Sequence, residues 1–194
     1  AVKFVLNLFP SLSYKRQPLL HTFVAFLFLV LVCLSHVSNA SAPLNDSCEN
    51  AIILQSSGSS SSSAVVVQGS TSEATTTGDG LNLCGENLVN SPGIWYLFKS
   101  TNNNKDAIIH VSTCNAQTNF DTAITVYSGE CSKLGCVTGR NDDTECDAGT
   151  EQHSTVSWRT KPDTDYFILV HGNEQNHTGE FGLTVTETES LTSA

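Results

Sequence analysis

The sequence predicts an all-β fold: an antiparallel β-sandwich, jelly-roll-like and held by disulfides. Three observations lead there. First, no segment of the 194 residues carries convincing helical periodicity, and short β-branched and aromatic runs alternate with turn residues instead. Second, the late runs alternate with a period of two, as strands with one buried and one wet face do. Third, an apolar leader is followed by an even number of cysteines, the mark of an exported, disulfide-bonded chain.

Taken in order, residues 1–40 read as an export signal. Tyr14-Lys15-Arg16-Gln17 forms a positive n-region, and Leu19 to Leu34 is an apolar run of 16 residues. Ser38 and Ala40 are small residues at the −3 and −1 positions of a cleavage site before Ser41. An uncleaved membrane anchor needs ~20 apolar residues, and this run is shorter and contains His21 and Thr22. The chain opens on Ala1 rather than Met, which reads as an N-terminal fragment or as leader translated in frame.

Residues 41–186 form one domain. Its strand runs are Ala51–Gln55, Ala64–Gln68, Ile94–Lys99, Ala107–Ser112, Thr122–Tyr127, Thr155–Arg159, Tyr166–His171 and Phe181–Thr186. Val156 and Trp158 share a face, as do Phe181, Leu183 and Val185. Tyr166–Val170 is apolar on both faces, which predicts a central strand. Ser56–Ser63, seven serines around Gly58, reads as a flexible loop, because it has no side chain whose packing offsets its ordering entropy. The polar tail, residues 187–194, reads as frayed.

Cys33 belongs to the leader, leaving Cys48, Cys84, Cys114, Cys131, Cys136 and Cys146 for three bridges. Spacing favours Cys131–Cys136 across a small turn and Cys114–Cys146 at one end of the sandwich. Cys48–Cys84 then follows by elimination. The sequons at Asn45 and Asn176 predict glycosylated surface positions.

Charge narrows the partners. After residue 40 there are six Lys and Arg against all 19 Asp and Glu, a net charge of −13. An acidic domain without a basic stripe excludes nucleic acid and, once the leader is removed, an anionic membrane. Extracellular polysaccharide and protein are left as partners. No Gly-x-Ser-x-Gly elbow, His-Glu-x-x-His, P-loop or Gly-x-Gly-x-x-Gly is present, and six oxidised thiols leave no Cys nucleophile, so the reading is of a non-enzyme. His110, His153 and His171, in or beside strands, are expected to face solvent, and His177, inside a sequon, to be exposed.

One cluster has metal chemistry. Asp142, Asp143, Glu145, Asp147 and Glu151 fall within ten residues, and crowded carboxylates are relieved by a hard cation, so Ca²⁺ is the candidate cofactor. The spacing is not that of an EF-hand, and the alternative reading is a solvated acidic loop. Asp121, before a strand, is a further candidate ligand or a turn cap. Trp95 alternates with Ile94 and is expected on an outer face, where it either stacks on a sugar or packs half-buried under a loop.

Asn45-Asp46-Ser47-Cys48-Glu49-Asn50-Ala51 is similar to the opening of secreted bacterial modules of the pre-peptidase C-terminal type. The likeness continues through Gly93–Phe98, Ser112-Thr113-Cys114, Phe120–Gly129, Asn141-Asp142-Asp143, Tyr166–Gly172 and Gly179–Val185. It spans about residues 45–186. It implies a non-catalytic jelly-roll sandwich of a kind some members of which bind Ca²⁺ or insoluble polymers. This chain departs from the pattern in its long serine loop and in carrying no catalytic domain. The sequence therefore points to a secreted, extracellular, non-catalytic binding or adhesion module. The alternatives are a structural cell-wall or matrix component acting through its acidic surface, and a hydrolase with an unfamiliar site.

Overall fold

The computed structural model describes residues 41–194 except 55–61, 77–82, 86, 101–106, 142–145, 147–151 and 190–194. The predicted signal, most of the serine loop and the end of the tail lie outside the described residues. A short 3-10 turn, Cys48–Asn50, leads into β1 (Ile52–Leu54). Then come β2 (Ser62–Ser70), β3 (Leu83–Cys84), β4 (Asn87–Leu88), β5 (Gly93–Lys99) and β6 (Ala107–Ser112). They are followed by β7 (Thr122–Glu130), β8 (Lys133–Asn141), β9 (Thr155–Arg159), β10 (Asp165–Gly172) and β11 (Glu180–Glu189).

Two sheets form the sandwich. Sheet A has the order β1-β5-β10-β7-β8 and sheet B the order β2-β11-β6-β9; β3 and β4 make a separate hairpin. All pairings are antiparallel except β1 with β5. Alternation decides what the facing layers bury. Ile94, Tyr96 and Phe98 of β5, with Tyr166, Ile168 and Val170 of β10, meet Val156 and Trp158 of β9 and Phe181, Leu183 and Val185 of β11. Edge-to-face pairs lock the layers: Tyr96 with Phe181 at 6.3 Å and Phe98 with Trp158 at 6.4 Å between ring centroids. β10 sits in the middle of sheet A, as its two apolar faces require.

Sheet A buries its other face as well. Trp95, Tyr127, Phe167 and Leu169 form a second core with Cys48 and Cys84. Its cover is the N-terminal segment and the β3–β4 hairpin, fixed by disulfides Cys48–Cys131 and Cys84–Cys136, with Cα separations of 5.7 and 5.4 Å. The Trp95 N–H donates to the Asn45 carbonyl at 2.8 Å, and the Asn45 side-chain amide returns a bond to the Trp95 carbonyl at 2.9 Å. Gly85, at φ +64°, brings the β3–β4 turn against β8. A Cβ there would sit 2.5 Å from backbone atoms of Gly139.

Several expectations are corrected. Cys114–Cys146 forms as expected, but Cys131–Cys136 and Cys48–Cys84 do not. The reason is β8, a strand outside the eight runs that alternation marks. Glu130 pairs with Lys133 across a tight turn, so Cys131 lies in the turn while Cys136 is three residues along an extended strand. Roughly 10 Å or more of extended chain separates them, beyond the reach of a disulfide. Ser62 and Ser63 belong to β2 rather than to the serine loop, and residues 187–189 extend β11 instead of fraying. The β11–β2 ladder runs from Glu180–Ser70 to Thr188–Ser62, and Glu189 pairs with Ala107 of β6. β3 and β4 were also missed, since two residues each carry no period.

The Cys48–Cys131 bridge closes the longest loop, with a sequence separation of 83. Replacing both cysteines with serine should lower the unfolding free energy by about 4–5 kcal/mol in urea titrations and shift Trp emission to the red. Unchanged stability would contradict the clamp.

Candidate functional site

Trp95, read as either a sugar platform or a residue packed under a loop, is fully buried. Alternation does place it opposite Ile94, but that side of sheet A lies under the second core, where its ring packs 5.7 Å from that of Tyr127. It is not available to a ligand. Of the candidate metal ligands, Asp142 and Asp143 lie outside the described residues.

Asp121 is a network residue. Its backbone carbonyl accepts from the Asn173 N–H at 3.1 Å. Its Oδ2 accepts from the Asn173 side-chain amide at 3.4 Å and lies 3.7 Å from His177 Nδ1. His177 Nε2 is in turn 3.9 Å from Glu174 Oε2, and the His177 side chain is only 38% exposed, in a loop folded back on Asp121. Asp121 Oδ1 is buried without a hydrogen-bond partner. That is one oxygen, where Ca²⁺ takes about 6–8. Among the described residues, no group of three or more His, Cys, Asp or Glu side chains is placed to hold a metal ion. His153, expected at the surface, is buried beside this network with its Nδ1 unpartnered, and burial pushes its pKa down.

His171 is a second correction. It is fully buried, on the side of β10 that also carries Phe167 and Leu169 of the second core. Its Nδ1 lies 2.9 Å from the Gly172 carbonyl, which can only accept, so Nδ1 carries the proton. Nε2 then accepts from the Thr125 hydroxyl at 2.9 Å. Ser91 Oγ is 3.4 Å from Nδ1, but it donates its own hydrogen to Gly172 at 2.6 Å. All three side chains are satisfied and without solvent access, so Ser91 and His171 are a structural pair rather than a nucleophile and base. On the surface, His110 Nδ1 is 2.8 Å from Ser157 Oγ. Among the described residues, no third group orients this imidazole.

The broad open surface is the outer face of sheet B. Strand register arranges its side chains in cross-strand rows. One row is Val66, Thr184, Ser112 and Thr155, and the next is Ala64, Thr186, His110 and Ser157. A third includes Thr188, Ile108 and Arg159. These three rows contain hydroxyls and two exposed aliphatics, and the carboxylate on the same face is that of Glu180, exposed in the row it shares with Ser70. Val66 is 61% exposed and Ile108 38%. These positions are legible in the sequence as the polar half of the alternation, and Thr184-Val185-Thr186-Glu187-Thr188 is the signal that marks them as an array.

The sequons separate. Asn45 is 4% exposed and spends its amide on Trp95, so a glycan there would replace a buried bond. Asn176 is exposed in the β10–β11 loop at φ +74°.

No family model matches the chain, and no curated protein matches it. Among solved structures, it is similar to Aeromonas hydrophila PliG, a periplasmic lysozyme inhibitor of g-type lysozyme. That likeness has a TM-score of 0.39 at 6% identity and covers 72% of this chain and 96% of the other.

Two outcomes follow. The His171 pKa is pushed down to about 4 by desolvation, against ~6.5 in the unfolded chain. Above pH ~6.5 both states are neutral and its contribution is complete. As pH falls towards 4, the unfolded chain binds a proton that the native site refuses. Stability should drop by about 3 kcal/mol, with His153 adding in the same direction. Denaturant titrations at pH 7 and pH 4 measure it, and equal values would refute the buried neutral imidazole. Expressed in a glycosylating host, the chain should carry one glycan, at Asn176, by peptide mass mapping. A glycan on Asn45 in folded protein would refute the Asn45–Trp95 pairing.

Proposed function

We propose that the protein is a secreted, non-catalytic binding module of the extracellular surface or matrix. The observation that carries this reading is the contrast between the two outer faces. That of sheet A is covered and bolted by disulfides, whereas that of sheet B is exposed and regular, with Glu180 as the carboxylate at its Ser70 end. A scaffold stiffened on one side and open on the other suits a module that presents a surface. Three disulfides suit an oxidising compartment, in keeping with removal of residues 1–40 as a signal. The likeness of residues 45–186 to pre-peptidase C-terminal type modules supports a non-catalytic role.

The test is a depletion assay with the protein beginning near Ser41, on insoluble cellulose, chitin and collagen. Saturable retention on at least one, insensitive to moderate salt, is the expected result. Retention only on cationic resins, lost with salt, would favour a matrix component acting through its acidic surface and overturn the binding reading.

A further inference from the structure

We infer that the open edge of β2 pairs with the β2 of a second copy of this chain, antiparallel about a twofold axis at Val66. Such a dimer goes beyond the binding-module reading and does not depend on it.

A sheet edge displays unpaired N–H and C=O groups, and proteins blunt such edges with short strands, bulges, charges or proline. Among the described residues the sandwich has four edges. β1, at one end of sheet A, is only three residues long. β8, at the other end, has a register shift opposite Val126 and Tyr127 and carries Lys133 and Arg140. β9, at one end of sheet B, has five residues and closes on Arg159. β2 has none of these devices. It runs for nine residues, Ser62–Ser70, without a charge or a proline. Its ladder to β11 is unbroken from Ser62 to Ser70, and among the described residues no strand pairs with its other side.

This edge also leaves apolar surface open. Val66 is 61% exposed on the outer side of β2. Val65 and Val67, on the inner side, pack against the core and are only partly buried. A further strand alongside β2 would cover all three.

A second β2 suits this edge better than a foreign strand does. The domain carries a net −13 after residue 40, so two copies repel through most of their surface. The neutral stretch Ser62–Ser70 is where that repulsion is least, and it offers a charged peptide no complementary group. Antiparallel self-pairing about Val66 engages all nine residues, over about 30 Å. Ser62 then lies opposite Ser70, Ala64 opposite Gln68, Val65 opposite Val67, and Val66 opposite its own copy. Outward residues meet outward residues, as a continuous sheet requires. Any other centre shortens the ladder. The two four-stranded B sheets become one of eight strands, and each copy has then used its open edge, so the assembly closes as a dimer. Nine residues a side is fewer than the about 20–30 of a standard interface, so the pairing depends on concentration.

The experiment is sedimentation equilibrium of the secreted protein from micromolar to millimolar concentration. The wild type should pass from one chain to two and no further. Added salt should favour the dimer, because it screens the repulsion between acidic domains. Val66→Lys and Val66→Glu each set like charges opposite one another at the axis, and each alone should weaken dimerisation roughly tenfold or more. Mixed in equal amounts, the two should pair with each other, since the axis then joins opposite charges. Ile53→Lys, a charge at an exposed position of β1, should leave dimerisation unchanged. Circular dichroism and melting curves establish that the variants are folded, and the mixture restores pairing only if they are. A wild type that stays monomeric at every concentration would overturn the proposal, as would growth beyond two chains. A dimer that survives both Val66 variants, or a mixture that pairs no better than its components, would overturn it too.

Discussion

The structure depends on one constraint: the middle of sheet A is apolar on both sides. β5, β7 and β10 place Ile94, Tyr96, Ile124, Val126, Ile168 and Val170 on one face, and Trp95, Tyr127, Phe167 and Leu169 on the other. Burying a large apolar side chain contributes roughly 1.5–3 kcal/mol, so leaving either face wet would forfeit a large share of a domain's net stability. Sheet B covers the first face. The third sheet among the described residues is only the two-stranded β3–β4 hairpin, too small to cover the second alone. The N-terminal segment and the β3–β4 hairpin do so together, and pieces this short do not hold themselves in place. Cys48–Cys131 and Cys84–Cys136 hold them, and the Asn45–Trp95 pairing sets their register.

The polar interior follows from the same constraint. Once the second layer is down, His171 has no route to water and must be neutral, with both ring nitrogens matched by Gly172 and Thr125. Asn45 becomes a buried linker rather than a glycan acceptor. The remaining outer face, that of sheet B, keeps the short hydroxyl side chains of its wet alternation positions. Rigidity on one side and openness on the other thus have one cause, and the functional reading rests on that asymmetry.

Much of the fold was legible in the sequence because strand cores announce themselves by β-branched alternation. β6 and β9 were placed at their observed ends, and the two-sided apolar run Tyr166–Val170 gave the central strand. β8 was illegible for a physical reason: Lys133–Asn141 contains Gly135 and Gly139 and has a register shift opposite Val126 and Tyr127. Missing it made the local pairing Cys131–Cys136 look natural. The second layer was illegible for another reason. Alternation states which side of a sheet Trp95 is on, but not what covers that side, so it leaves a sugar platform and a residue packed under a covering segment both open. His171 was misplaced by the same gap.

The central claim, that the N-terminal segment and the β3–β4 hairpin are bolted over the second face of sheet A, is tested most directly by peptide mapping under non-reducing conditions. The account predicts a Cys48 peptide linked to Cys131 and a Cys84 peptide linked to Cys136. A Cys48–Cys84 link, or a peptide closed on itself between Cys131 and Cys136, would contradict it.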